Sequence, residues 1–274
     1  MKTYEYNFKS GKKLILGKAP LVMGILNVTP DSFYDGGKYE DIEAAIKQAK
    51  KYEKDGADII DIGAESTRPN ATPLTAEEEG KRLFPVLEKL LEVVKVPVSV
   101  DTYHAETAEK ALEMGADFIN DVNFDEDMAK VVAKYNSPVV VMARDTMGEA
   151  EKTRQNFARL IDIATKAGIS KGNVILDPGI GFIGGADADT EALKNLKGIN
   201  NIDGTEYPLL VGLSRKSFLG KITGREKFDL LAGTMAANAF AILGGANILR
   251  AHDVKETKDV IAIVDRVKGQ YGLE

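Results

Sequence analysis

Short apolar runs, each of strand length and each followed by a stretch with helical spacing, recur eight times along this chain, and that alternation leaves few folds open. The runs are residues 21–26, 58–62, 96–100, 118–119, 139–142, 174–176, 209–212 and 247–249. Between the first three, residues 41–55 read as a helix stopped by Gly56, and 76–94 as a helix behind a Thr75 to Glu78 capping box, kinked or broken at Pro85. Repeated strand–helix units without a linker predict an α/β protein, a single (β/α)8 TIM barrel taking residues 1–274 as one domain. An open doubly wound sheet is disfavoured, because no glycine-rich dinucleotide fingerprint follows the first run.

Ahead of the barrel, Tyr4, Tyr6 and Phe8 alternate before Ser10-Gly11, and Leu14 and Leu16 alternate after it. This predicts a short N-terminal β-hairpin that lids a core. The same segment lacks the apolar centre and cleavage site of a secretory signal. Residues 230–249 carry no charge and are long enough to span a bilayer, yet their two Asn and the Gly244-Gly245 break point to a buried helix, a turn and a strand. The chain has no cysteine, two histidines and a net charge of −6. That composition removes disulfide frameworks, thiolate chemistry and a histidine-built metal centre, and offers nucleic acid or anionic lipid no general attraction. Small-molecule partners and a cytoplasmic setting are expected.

Just past nearly every run stands a polar group: Asn27, Glu65 with Ser66, Asp101, Asn120 with Asp121, Arg144, Asp177, Ser214-Arg215-Lys216, and Arg250 with His252. Polar residues begin loops in any protein. Repeated at the carboxyl ends of parallel barrel strands, however, they converge on the face where βα loops build active sites. Ser214-Arg215-Lys216-Ser217 falls where a strand passes into a helix, so free N–H groups, the helix dipole and two cations suit an oxyanion. Arg250 and His252, two apart on an extended segment, point to one side, with Asp253 a candidate cap for the last helix. Asn27, across the barrel seam, adds an amide, and a diphosphate would fit between them.

Asp101, Asn120 and Asp177 form a second group, since acidic oxygens facing an amide can read the donor and acceptor edge of a nitrogen heterocycle. Asp177-Pro178-Gly179 is also a turn signal. Met142 reads as core packing unless a flat ring lies against it, and His104 as an exposed helix residue. Two polar loops, residues 28–38 with Thr29, Asp31, Ser32 and Asp35, and 65–74 with Ser66-Thr67-Arg68-Pro69, are of the kind that closes over substrates.

The stretches GILNVTPDSF, GADIIDIGAESTRP, VSVDT, INDV, LDPGIGF, LVGLSRKSFLG and GTMAANAFAILGGANILRAHDV, in this order over about Leu21 to Val254, resemble dihydropteroate synthase of the pterin-binding enzyme superfamily. The resemblance implies condensation of 6-hydroxymethyl-7,8-dihydropterin diphosphate with 4-aminobenzoate. It implies that Asp101, Asn120, Asp177 and Lys216 hold the pterin ring, with Met142 and Phe182 among its walls. Asn27, Arg250 and His252 would form the diphosphate site, with Mg²⁺ near Asn27. The aminobenzoate would lie near Thr67, Arg68, Pro69 and Ser217, its carboxylate at the helix start, under loops that Asp35 and Arg68 pair across. A homodimer is implied as well. The catalytic set is then Asn27, Asp35, Arg68, Lys216, Arg250 and His252.

The chain departs from the family pattern twice. Ala143-Arg144 stands where a histidine usually follows the methionine, and Ile183-Gly184-Gly185 where Gly-Lys usually follows GIGF. Three competing readings are a folate-dependent methyltransferase of the same superfamily, a pterin binder without turnover, and an aldolase using Lys216 as a Schiff base. The lack of a Ser–His or Cys–His nucleophile pair suits a reaction in which the substrate amine attacks.

Overall fold

The computed structural model describes residues 2–17, 19–29, 38–65, 72–182 and 184–271. Strands β1 (Tyr4–Asn7) and β2 (Lys13–Leu16) form the expected antiparallel hairpin, with Tyr4 opposite Leu16 and Tyr6 opposite Leu14. Strand and helix then alternate: β3 (Leu21–Asn27), α1 (Lys38–Lys54), β4 (Ile59–Gly63), α2 (Ala76–Val93), β5 (Val98–Asp101) and α3 (Ala105–Met114). The second half continues with β6 (Phe118–Asp121), α4 (Glu126–Tyr135), β7 (Val139–Met142), α5 (Ala150–Lys166), β8 (Val174–Asp177) and α6 (Ala186–Lys194). A small hairpin, β9 (Asn201–Ile202) and β10 (Thr205–Glu206), precedes β11 (Leu210–Gly212), α7 (Ser217–Thr223), α8 (Leu231–Leu243), β12 (Ile248–Ala251) and α9 (Val254–Tyr271).

Among the described residues, eight parallel strands pair in the order β11-β12-β3-β4-β5-β6-β7-β8. A parallel bridge from Leu176 to Leu209 joins the two ends, and the Leu176 N–H donates to the Pro208 carbonyl at 2.9 Å. The chain is therefore the TIM barrel its alternation predicts. The capping box forms as read: the Thr75 hydroxyl accepts the Glu78 N–H at 3.2 Å, and the Glu78 carboxylate accepts the Thr75 N–H at 2.9 Å. Of the kink or local break expected at Pro85, the break does not occur, and α2 runs through it. Pro85 lies on the exposed side, while Leu83, Val86, Leu87 and Leu90 are buried against the barrel, so packing outweighs one lost helical hydrogen bond.

Period-two alternation divides the strand side chains between two cores. Outward residues such as Val22, Ile60, Val100, Val141, Leu176 and Leu249 meet the helices in one large cluster. Inward residues near the strand starts, Met23, Ile59, Phe118, Val140, Ile175, Leu210 and Ile248, form a separate cluster with Tyr4, Tyr6, Leu14 and Leu16 of the hairpin. The hairpin thus stoppers the amino-terminal mouth. It is fastened by the Tyr4 hydroxyl on the Glu206 carbonyl at 2.9 Å and by Ser10 on Asp117 at 2.5 Å. The apolar stretch at 230–249 resolves into α8, a glycine turn and β12. Among the described residues no helix is long and apolar enough to cross a membrane.

Candidate active site

Two residues further along the same strands, the inward side chains change character. Asp61 on β4, Ser99 and Asp101 on β5, Asn120 on β6, Met142 on β7, Asp177 on β8 and Arg250 on β12 ring the carboxyl-terminal mouth. Strand register puts them there: Asp61 pairs in register with Ser99, Asp101 with Asn120, and Met142 with Asp177. Gly63 makes room beside Asp101, since a Cβ on it would lie 3.2 Å from the Asp101 Cβ.

Asp61 is the hub of this layer. Fully buried, it accepts Arg250 Nε at 2.6 Å, Asn120 Nδ2 at 3.1 Å and the Ser99 hydroxyl. A second guanidinium nitrogen of Arg250 donates to Asp101 at 2.6 Å. An isolated carboxylate in such a place would be costly, and Arg250 with its fork of donors makes the pair tenable. Burial lowers the Arg250 pKa, but the carboxylates of Asp61 and Asp101 outweigh it and raise the value further. Burial pushes the Asp101 carboxyl up to about 7, with Arg250 pulling the other way and Asp61 adding to the rise. The Asp177 carboxyl is raised too, again by burial, and is held back by the Gly179 N–H it accepts at 2.8 Å and by Lys216. Asp177 therefore shapes its turn while standing at the carboxyl-terminal mouth.

Lys216 stands just before α7, and its ammonium lies 3.8 Å from the centre of the Phe182 ring. Desolvation brings its pKa down to about 8, against the pull of Asp177. The motif around it does not act as two cations at a helix start. Arg215 is committed to Asp253, through Nε at 3.1 Å and a terminal nitrogen at 2.5 Å. Asp253 stands immediately before α9, where its carbonyl accepts the Thr257 N–H at 3.0 Å. The Ser214 hydroxyl lies 2.9 Å from His252 Nδ1 and accepts the His252 backbone N–H at 3.1 Å, which fixes the ring at the mouth. Asn27 ends β3 opposite Gly63 in register, and Ser217 opens α7.

His104 is not the exposed residue expected. It is the N-cap residue of α3, and its Nε2 lies 3.2 Å from Glu65, whose carboxylate also accepts the Tyr103 hydroxyl at 2.5 Å and the Leu74 N–H at 3.1 Å. Asp61 is the residue that the motifs did not single out, and the pairing of Glu65 with His104 and Tyr103 is what the strand-end pattern did not show. The signal for Asp61 was present: a carboxylate two positions before Gly63 inside an otherwise apolar strand. Asp31, Ser32, Asp35, Ser66, Thr67, Arg68, Pro69 and Ile183 lie outside the described residues.

A family model described as pterin binding enzyme matches residues 23–252, a span holding every inward polar group named above. The chain belongs to the pterin-binding enzymes. Within them it stands with the dihydropteroate synthases, being 41% identical to that of Clostridium beijerinckii over 262 residues, 93% of this chain and 96% of that one. The Xanthomonas albilineans dihydropteroate synthase with 4-aminobenzoic acid superposes with a TM-score of 0.90 at 37% identity, covering 97% of this chain and 99% of that one. The same enzyme in complex with 7,8-dihydropteroate gives a TM-score of 0.83 at 36% identity, covering 93% and 96%.

As a pterin-binding enzyme, the chain carries its first departure, Ala143-Arg144, outside the ring of strand-end side chains. Ala143 is buried in the outer core, and its N–H donates to the Asp177 carbonyl at 2.8 Å. Arg144 is exposed and donates to Asn123 at 2.9 Å. Position 143 thus packs between barrel and helices, and position 144 ties two βα loops together.

Proposed function

We propose that this chain condenses 6-hydroxymethyl-7,8-dihydropterin diphosphate with 4-aminobenzoate, releasing diphosphate and forming 7,8-dihydropteroate. The observation that carries the reading is the charged inner layer, in which Arg250 bridges Asp61 and Asp101 beside Asn120, Asp177 and Lys216. A flat ring with both donors and acceptors on its edge can meet the oxygens of Asp101 and Asp177, the amide of Asn120 and the ammonium of Lys216. Met142, buried at the end of β7, and Phe182 supply its walls.

In the reaction the carbon–oxygen bond to diphosphate breaks, the carbon–nitrogen bond to the arylamine forms, and the amine proton leaves to solvent. The protein's task is to stabilise the charge on the leaving group and keep water away. Arg250 has five N–H donors, so it can hold its carboxylates and still present N–H groups to an oxyanion. The Ser214 hydroxyl, in contact with both Nδ1 and the backbone N–H of His252, holds the imidazole in place and turns its Nε2 edge toward the diphosphate. Lys216 adds positive charge at the pterin. On this reading Thr67, Arg68, Pro69 and Ser217 receive the aminobenzoate, and Asp35 with Arg68 closes the loops over it.

A divalent ion fits these residues as one shared with substrate. Among the described residues no three His, Asp or Glu side chains gather as a metal site, while Asn27 offers a single neutral oxygen. Mg²⁺ commonly binds in that way, keeping waters and substrate phosphate oxygens around one or two protein ligands. Held by Asn27, it would neutralise charge developing on the diphosphate. A homodimer and a cytoplasmic setting complete the reading. Support for the dimer comes from α8, which leaves Leu231, Phe240 and Leu243 exposed, Phe240 by 63%.

The test is turnover of the two substrates with Mg²⁺, following diphosphate release and dihydropteroate by mass. Product in both channels is expected; pterin binding without product would reject the synthase reading.

A further inference from the structure

Asp189 is a buried carboxylate that no motif singles out. It lies in the first turn of α6, only 3% exposed, and its Oδ1 accepts the Gly181 N–H at 2.6 Å. Gly181 has φ +94° and runs against the stem of Lys216. A Cβ there would lie 2.5 Å from Lys216 Cδ and 3.0 Å from Cε, so the backbone touches the lysine with nothing between. The next residue, Phe182, presents its ring to the Lys216 ammonium. One carboxylate therefore fixes the short segment that lies along the lysine and faces its charged end. The chain returns Asp189 to this place through Gly184 and Gly185, both with positive φ, within the stretch where it departs from the family pattern.

A backbone N–H can be satisfied by a neutral carbonyl or amide, so a buried acid at this position needs a reason. The groups facing it supply one. Burial raises the Asp189 carboxyl, while the Gly181 N–H, Lys216 and Lys221 draw it back down. From the other side, Lys216 faces Asp177, Asp189 and Asp101, with Arg250 as the opposing cation. The negative charge thus lies where it favours the protonated lysine.

We propose that Asp189 is a positioning residue for the pterin subsite, holding Gly181 and Phe182 against Lys216 and adding a negative charge on that lysine's side of the subsite. This rests on the pterin reading above. It adds a residue from α6 that acts through Lys216 and has no contact with substrate of its own.

The experiment compares wild type, Asp189→Ala and Asp189→Asn in steady-state kinetics with dihydropterin diphosphate and 4-aminobenzoate across pH 6 to 9.5, roughly spanning the titration of a shifted lysine. Asp189→Ala is expected to raise the KM for dihydropterin diphosphate about tenfold or more while changing the aminobenzoate KM less than about twofold. Asp189→Asn keeps an oxygen for the Gly181 N–H and should restore most of the pterin KM. Lacking the charge, it should move the basic limb of the kcat/KM profile to lower pH. Unchanged pterin kinetics in Asp189→Ala would overturn the proposal, as would equal damage to both substrates with loss of thermal stability in both variants. A basic limb that stays in place in Asp189→Asn would overturn its electrostatic half. Failure of the wild type to turn over would instead sink the synthase reading, so the two failures are told apart.

Discussion

The two mouths of the barrel are built on the same strands, two residues apart. At the amino-terminal mouth Ile59, Phe118, Val140, Ile175 and Ile248 face inward and the hairpin closes over them; at the other, Asp61, Asn120, Met142, Asp177 and Arg250 take the corresponding places. Two residues advance a strand by about 6.6 Å and return the side chain to the same face. Over that distance the interior passes from a closed apolar core to a layer of interlocked charges. The lower layer can be sealed because its side chains ask only for exclusion of water. The upper layer must stay open, and its charges remain inside because they satisfy one another until a polar ligand arrives.

The sharpest way to break this contrast is Arg250→Ala. With Asp61 left as a buried, uncompensated carboxylate, stability should fall by about 3–5 kcal/mol and turnover by about a hundredfold or more. Denaturant melts and steady-state kinetics check both; near-normal turnover would remove Arg250 from the chemistry. Phe118→Ala attacks the other mouth, where the ring is fully buried and stacks on Phe8 at 6.0 Å. Its expected cost is about 3–5 kcal/mol of stability, with kcat at permissive temperature within about twofold of wild type. A large drop in kcat without unfolding would show that the two mouths are not separable.

A smaller effect is expected from His252→Ala, which should lower turnover about tenfold while leaving the melting temperature within a few degrees, roughly the cost of one ligand-side interaction. Unaltered kinetics would dismiss the ring as a diphosphate group. Asp121 provides the most local test, read as a slope against pH. Burial pushes its carboxyl up to about 8, with the Asn123 N–H opposing. Because the folded value lies above the unfolded one, the group's contribution to stability is present at low pH and is lost as pH rises from about 4 to 8. Asp121→Asn should gain on wild type by up to about 1 kcal/mol per pH unit across that window and level off above it. Urea melts at several pH values would show this, and a pH-independent difference would refute it.

Strands, hairpin and capping box were all legible because each is written locally. Alternation of apolar and polar residues sets the strand faces, and Thr75 and Glu78 lie one helical turn apart. The expected break at Pro85 failed because the sequence shows the missing N–H but not the barrel surface that holds the flanking leucines. Similarly, Arg215 looked like a free cation at a helix start, and only the fold reveals Asp253, 38 residues away, beside it. His104 and Glu65 lie 39 residues apart and meet only once β4 and β5 are side by side.

The sequence alone determined that the chain alternates strand with helix, that its strand ends carry polar groups, and which motifs those groups belong to. These follow from spacing and residue type, which act over a few residues. Which charges neutralise which was decided only by the tertiary structure. Asp61 and Arg250 are separated by 189 residues, and their ion pair exists because closing the barrel brings β12 beside β3 and turns both side chains into one small, poorly hydrated space. Electrostatic energy there depends on distance and burial, and a linear sequence specifies neither until the ring is closed.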